Sequence, residues 1–233
     1  MTLDAAATDS MPPRSTAFTV CVYCAASPAA KAADISLAEE VGAGIAARGW
    51  HVVWGGQKCS MMGAMAAAVR RGGGHTTGIV PRPLVHKADR AADRLVVVDG
   101  LSTRKQMMFH RADAFLVLTG GLGTCEELFD TWSALSMAGA HRRPLVVLDP
   151  YRHYAGLCAW LAELQAKGFI SDEAARMPVW TTAVRAALDA CSRDSGSRRA
   201  FRGTGHALQG AEGVVGGVEG GAVRAVPGAA TRR

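Results

Sequence analysis

Ala114-Phe-Leu-Val-Leu-Thr-Gly-Gly-Leu-Gly-Thr-Cys-Glu-Glu127 is the stretch whose reading decides the fold. Ala114 to Leu118 are five consecutive apolar residues, the pattern of a strand buried on both faces. A glycine turn follows, with Gly120, Gly121 and Gly123, and a helical pattern opens at about Thr124. Three glycines let the backbone come close to a ligand and permit positive φ. The helix start beyond them offers free N–H groups and the positive end of a dipole, which suit a phosphate, and Thr124 adds a hydroxyl. No Gly-Lys-Ser/Thr follows, so this is not a Walker loop, and the glycine spacing is not that of a dinucleotide fingerprint. A tight strand–helix turn with no ligand uses the same glycines. Glu126 and Glu127 are expected in the first helical turn, where they complement the dipole. Beside a bound phosphate, however, a carboxylate is repelled unless it acts on the ligand.

The same alternation of strand and helix extends to both sides. Phe18–Tyr23, His51–Trp54, Thr76–Val80, Leu95–Val98, Pro144–Leu148 and Pro178–Thr181 read as further strands. Helices are expected over Ala29–Arg48 (ended by Gly49), Ser60–Arg71, Thr103–Ala112, Tyr154–Lys167 and Ala183–Cys191. The fold class is α/β, a single Rossmann-like domain with a parallel sheet and helices on both faces. Crossovers are expected to be right-handed. Ligands of such sheets bind beyond the C-terminal strand ends. That selects Ala25–Pro28, with Ser27, then Gly55–Ser60, Asp99–Lys105 and Thr119–Glu127.

The chain has 233 residues, 49% hydrophobic and 20% charged, enough apolar material for one core. The domain is expected over 17–195, between a disordered N-terminus (1–16) and a flexible Gly/Arg-rich tail (196–233). The net charge is +6, of which +4 falls on the tail, leaving about +2 for residues 1–195. The folded part is therefore no basic nucleic-acid binder, and no nucleic-acid partner is expected. No apolar run approaches the ~20 residues of a membrane span, and the N-terminus has no apolar signal region, so no membrane partner and a cytoplasmic location are expected. The six cysteines sit mostly in apolar segments, as buried reduced thiols do. Cys21 and Cys24 have metal-ligand spacing but lie within a predicted buried strand with no second pair, and no metal site is expected. His110 and His141 read as structural.

Two more segments carry chemistry. Gly55-Gly-Gln-Lys-Cys-Ser-Met-Met-Gly63 also follows a strand and opens a helix, so Gly55 and Gly56 let the backbone meet the same ligand. Met61 and Met62 are read as core or interface packing. Ser102-Thr-Arg-Lys105 is expected to open a helix, where cations oppose the dipole. Two adjacent ones, Arg104 and Lys105, call for an anion unless they are simply surface charge.

Together these motifs resemble the LONELY GUY family, the cytokinin-activating phosphoribohydrolases often labelled lysine decarboxylase-like. The family pattern is an Arg-Lys pair followed about 15 residues later by Pro-Gly-Gly-x-Gly-Thr-x-x-Glu, matched here by Arg104-Lys105 and Gly120 to Glu127. Val22–Ser27, Met62-Gly63, Gly78–Pro81 and His141–Pro144 extend the resemblance over roughly residues 18–191. Thr119 stands where the family has Pro, Gln57 where it has a third Gly, and Asp89 replaces a Glu on the base side. Ser133 takes the place of a Thr near the base.

The resemblance implies hydrolysis of the N-glycosidic bond of a nucleoside 5′-monophosphate, without metal or organic cofactor, by a homodimer. It gives Glu127 the catalytic carboxylate and Glu126 a ribose hydroxyl. Arg104 would clamp the phosphate or assist the leaving base, with Lys105 supporting the same anion. Gly120, Gly121, Gly123 and Thr124 cradle the phosphate. Met61, Met62, Met107 and Met108 are expected to offer apolar surface for the second subunit. Three alternatives remain open from sequence: a pyridoxal-phosphate decarboxylase, a non-catalytic nucleotide sensor, and a hydrolase of the same type tuned to another base.

Overall fold

A computed structural model describes residues 17–137 and 143–193. The segments 1–16 and 196–233, and His141, for which the sequence carries expectations, lie outside the described residues. The apolar runs form seven strands: β1 (Thr19–Tyr23), β2 (His51–Trp54), β3 (Thr76–Pro81), β4 (Arg94–Val98), β5 (Ala114–Val117), β6 (Leu145–Leu148) and β7 (Pro178–Thr181). The helices are α1 (Ala32–Ala47), α2 (Ser60–Arg71), α3 (Leu101–Arg111), α4 (Leu122–Met137), α5 (Ala155–Ala166), α6 (Asp172–Ala175) and α7 (Val184–Ser192). A 3-10 helix spans Arg82–Lys87. Neither it nor α6 was expected, because each is too short to show a helical period.

All pairings are parallel, in the order β4-β3-β2-β1-β5-β6-β7. The order reverses at β1, whose neighbours are β2 and β5. This is the switch point of a doubly wound sheet, where the loops leaving two adjacent strands diverge and open a crevice. The β1–β5 seam is secured at its start by two long-range hydrogen bonds. Asp113 N donates to Thr19 O at 2.7 Å, and Thr19 N donates to Asp113 Oδ2 at 2.9 Å.

Strand alternation divides the core. Val20, Val22 and Val52 face α1, α2 and α7, packing on Ile45, Met65 and Leu188. Cys21, Tyr23 and Phe115 face the other side with Met108 of α3 and Leu128 and Leu135 of α4. Cys21 and Cys24 therefore point to opposite faces and cannot share a metal ion. Met61, Met62 and Met108 are buried core residues, which corrects the expectation that they supply surface for a second subunit; Met107 is half-buried.

Gly49 ends α1 as expected. Its φ of +64° permits the Schellman pair Gly49 N to Ala46 O (2.8 Å) and Trp50 N to Ile45 O (3.2 Å). Helices α3 and α4 begin two residues earlier than the sequence suggests, at Leu101 and Leu122. Glu126 and Glu127 consequently lie in the second turn of α4 rather than the first, and Arg104 and Lys105 lie just past the first turn of α3. Dipole complementarity falls off within one turn, so it does not account for the two glutamates.

Gly42 sits mid-helix in α1, where glycine costs about 1 kcal/mol relative to alanine. A Cβ there would collide with the Met65 carbonyl and approach Ala68 Cβ to 2.8 Å on α2. Gly42→Ala is expected to destabilise by about 1 kcal/mol net, since overpacking of 1–3 kcal/mol exceeds the propensity gain. Gly156→Ala on α5, where a Cβ meets nothing within 4 Å, should leave stability unchanged or raise it. Urea unfolding of both variants checks the pair; a stabilised Gly42→Ala would refute the packing account.

Candidate active site

The site is built at the switch point. The loop after β1 and the loop after β5 are joined by Ala25 N to Thr119 O at 3.0 Å. The β1 loop is also sewn to the start of α2: Met62 N donates to Ala25 O (3.3 Å), Cys59 Sγ to Ala26 O (3.3 Å) and Ser60 Oγ to Ser27 O (2.6 Å). Ser27 itself is exposed, and its Oγ accepts from Ala29 N at 3.2 Å. Three of the loops selected from sequence thus meet around one crevice.

In the glycine loop, a Cβ on Gly120 would overlap the Thr124 side chain, so glycine there lets Thr124 fold back under the loop, where it is buried. A Cβ on Gly121 or Gly123 would meet no protein atom within 4 Å. None of the three has positive φ, contrary to expectation; the left-handed glycine near the crevice is Gly56, at φ +72°. A Cβ on Gly56 would press on Val80 Cγ1 and Ile79 N, at 2.9 and 3.0 Å.

Arg104 is the hub. It is 8% exposed, and its Nε donates to Ile79 O within β3 (3.1 Å). Its Nη1 pairs with Glu127 Oε1 at 3.0 Å, and its guanidinium lies over Gly55, where any Cβ would displace it. The anion that Arg104 faces within the chain is therefore Glu127, which is 4% exposed. Burial pushes the Glu127 carboxyl up from 4.5 to about 7, against the opposing pull of Arg104. Such a group is divided between acid and base forms at neutral pH, which suits proton transfer.

Lys105 points the other way around α3. It pairs with Glu126 and, at 3.3 Å, with Asp130, both exposed on α4. Its pKa is raised, chiefly by the hydrogen bond to Glu126. Asp130 was not anticipated, although it stands one helical turn after Glu126. Ser133 is exposed on the same helix, about 9 Å along the axis from Glu127, and is not brought to the Arg104–Glu127 pair. Asp89 does not replace a base-side carboxylate. It is buried, bound to Arg70 at 3.0 Å, and its Oδ1 accepts from Ala91 N.

Beneath Glu127 lies Tyr23, whose hydroxyl bonds Thr131 Oγ1 at 2.9 Å. Behind the glycine loop, His153 Nε2 meets Gly120 O at 2.7 Å, and Tyr154 OH donates to Leu118 O at 2.7 Å. Sequence reading passed over both. The rule that selects loops after C-terminal strand ends applies equally to Asp149–Tyr154, which follows β6. Among the described residues no cluster of His, Cys, Asp and Glu has metal-holding geometry. No described helix is long and apolar enough to cross a membrane.

A glycine loop opening a helix at the switch point, faced by a buried arginine–carboxylate pair, defines a nucleotide-binding α/β protein equipped for acid–base chemistry. A family model described as possible lysine decarboxylase matches residues 62–191. The cytokinin riboside 5′-monophosphate phosphoribohydrolase of Mycobacterium tuberculosis is 49% identical over 177 residues, which are 75% of this chain and 94% of that protein. The enzyme of the same name from Rhodococcoides fascians is 33% identical over 202 residues, covering 84% and 96%. Among solved structures, the molybdenum cofactor carrier protein of Chlamydomonas reinhardtii superposes with a TM-score of 0.58 at 20% identity, covering 75% of this chain and 95% of that one, a likeness of fold. The chain belongs to the possible lysine decarboxylase family, in the branch of the LONELY GUY phosphoribohydrolases. The decarboxylase label implies pyridoxal phosphate, which needs a lysine amine free to form a Schiff base. Lys105, the lysine beside Arg104, does not fit: two carboxylates hold it as an ammonium.

The titration of Glu127 has a sign that stability measurements read. Between about pH 4.5 and 7 the folded chain keeps a proton that the unfolded chain releases. The group thus favours folding at acid pH, and that contribution is lost as pH rises through 7. Relative to Glu127→Gln, the wild type should lose stability from pH 5 to pH 8, by denaturant unfolding at both. A difference independent of pH would show that burial does not raise this carboxyl.

Proposed function

We propose that the protein hydrolyses the N-glycosidic bond of N6-modified adenosine 5′-monophosphates, releasing free cytokinin base and ribose 5-phosphate. The observation that carries this reading is the buried Arg104–Glu127 pair beside the glycine loop at the switch point. The names of the bacterial relatives support the substrate class.

In this reading the 5′-phosphate sits on the first N–H groups of α4, at Gly120, Gly121, Gly123 and Thr124. Lys105 adds its charge, exchanging Glu126 and Asp130 for the phosphate. Glu126 is then released to hold a ribose hydroxyl, and the ribose lies along α4 beside Glu127. As the C1′–N bond breaks, its electron pair leaves with the base, and positive charge develops on the sugar. The Glu127 carboxylate stabilises that charge and takes a proton from the water that adds to C1′; that proton then passes to the departing base, which leaves neutral and restores the carboxylate. Arg104 keeps Glu127 oriented and favours its anionic form, while its fixed positive charge draws electron density toward the leaving base. Gly55, Gly56 and Ser27 form the opposite wall, and Ser133 lies toward the base.

Glu127→Gln should leave the affinity for AMP nearly unchanged and lower turnover on the order of 10²-fold or more. Arg104→Ala should weaken both. Wild-type kcat should rise with pH to a midpoint near 7, since the carboxylate is the working form. Calorimetric titration and chromatographic release of free base across a panel of nucleoside monophosphates read all of this. Equal rates on AMP and adenosine would remove the phosphate argument, and full turnover by Glu127→Gln would remove its catalytic role.

The working form is a homodimer in the cytoplasm. Exposed apolar side chains support the assembly: Leu122 (89%) and Met137 (80%) on α4, Trp160 (50%) on α5, and Phe169 (77%) just beyond it. The six unbridged cysteines support a reducing compartment. Light scattering at micromolar concentration should give twice the chain mass, and Trp160→Glu should give monomers. A monomeric wild type would overturn the assembly.

A further inference from the structure

The loop after β6 grips the neighbouring glycine loop. Asp149 fixes it, Oδ1 accepting from His153 N at 2.7 Å and Oδ2 from Tyr154 N at 2.9 Å. The His153 ring packs edge-on against Tyr154, centroids 4.7 Å apart. From this platform Tyr154 donates to Leu118 O, and His153 Nε2 meets Gly120 O, each at 2.7 Å. A carbonyl only accepts, so Nε2 carries the hydrogen.

The Gly120 carbonyl stands just ahead of the α4 ladder, in which Gly121 O accepts from Cys125 N at 3.0 Å. In a trans peptide the C=O of one residue and the N–H of the next point in opposite directions. Aiming Gly120 O at His153 therefore aims Gly121 N–H away from His153 and the loop that carries it. Flipping this peptide changes only ψ of Gly120 and φ of Gly121. Both are glycines, so local sterics do not oppose the flip, and a flipped peptide would present a carbonyl oxygen in place of the N–H.

We propose that His153 is a positioning residue for phosphate binding: by holding the Gly120 carbonyl, it locks the 120–121 peptide with the Gly121 N–H facing the 5′-phosphate. The proposal rests on the phosphate subsite of the proposed function. It assigns His153 no contact with the substrate.

The test uses the full chain with His153→Ala and His153→Gln. A net hydrogen bond of this kind predicts that His153→Ala raises KM for AMP and Kd for ribose 5-phosphate on the order of tenfold. Its kcat should stay within about twofold, and its thermal midpoint should fall by no more than about 2–4 °C, the loss of one hydrogen bond. His153→Gln, whose amide also donates, should recover most of the affinity. The Gly121 amide resonance should shift in His153→Ala and return toward wild type in His153→Gln. Ribose 5-phosphate affinity of His153→Ala within twofold of wild type would overturn the proposal. So would equal losses of affinity in both variants. If the wild type releases no base from any nucleotide yet binds ribose 5-phosphate in a His153-dependent way, the enzymatic reading fails and this one stands. If the wild type releases base from AMP yet does not bind ribose 5-phosphate, this proposal fails and the enzymatic reading stands.

Discussion

The site depends on a charge pair that water does not solvate. Arg104 and Glu127 are buried together, and burying either alone would be strongly unfavourable. Their mutual attraction is helped to offset that by a second bond from the guanidinium, Nε being taken by the Ile79 carbonyl. A strand, a glycine loop and two helices therefore have to be placed correctly before the pair is tolerable. The geometry that makes the carboxyl chemically useful is the same geometry that makes it affordable to fold.

The sheet order explains how distant segments supply these partners. Ile79 lies in the C-terminal half of β3, Gly55 follows β2, and Glu127 follows β5 by way of the glycine loop; all lie toward the C-terminal edge of one parallel sheet. Arg104, from the helix between β4 and β5, reaches across that edge and joins the two halves of the doubly wound sheet. Lys105, its neighbour in sequence, projects from another side of the same helix into an exposed carboxylate pair. Adjacent cations thus acquire different environments from the helical period alone: one is paired within the wall, the other with exposed carboxylates.

Much of this was legible in the sequence. Continuous apolar runs marked the strands, Gly49 marked a helix end, and Arg104-Lys105 with Gly120–Glu127 marked the crevice. What was not legible has physical causes. A backbone carbonyl such as Ile79 O has no signature in a side-chain alphabet. Helix starts at Leu101 and Leu122 were misjudged by two residues because glycine, serine and threonine suit both a turn and a first turn. That shift changed what Glu126 and Glu127 mean. The methionines of α2 and α3 look alike in a list, and only packing shows which are core. Asp89 resembled a ligand-side carboxylate until Arg70, which comes from α2, was seen to hold it.

The bonds between Thr19 and Asp113 that begin the β1–β5 seam span 94 residues of chain. During synthesis β1 is made first, yet one of its two edges stays unpaired until β5 has been translated. Over that interval the central strand of the sheet, rather than a rim strand, is the open template for adventitious pairing. Pairing over such a separation must first meet the entropy of closing a long loop, which slows this step of folding. The crevice assembles with this seam, so an incomplete chain holds Arg104 with no Glu127 to meet it. Half-made protein is therefore sticky before it is competent, and the β1 edge is where a chaperone would have the most to shield.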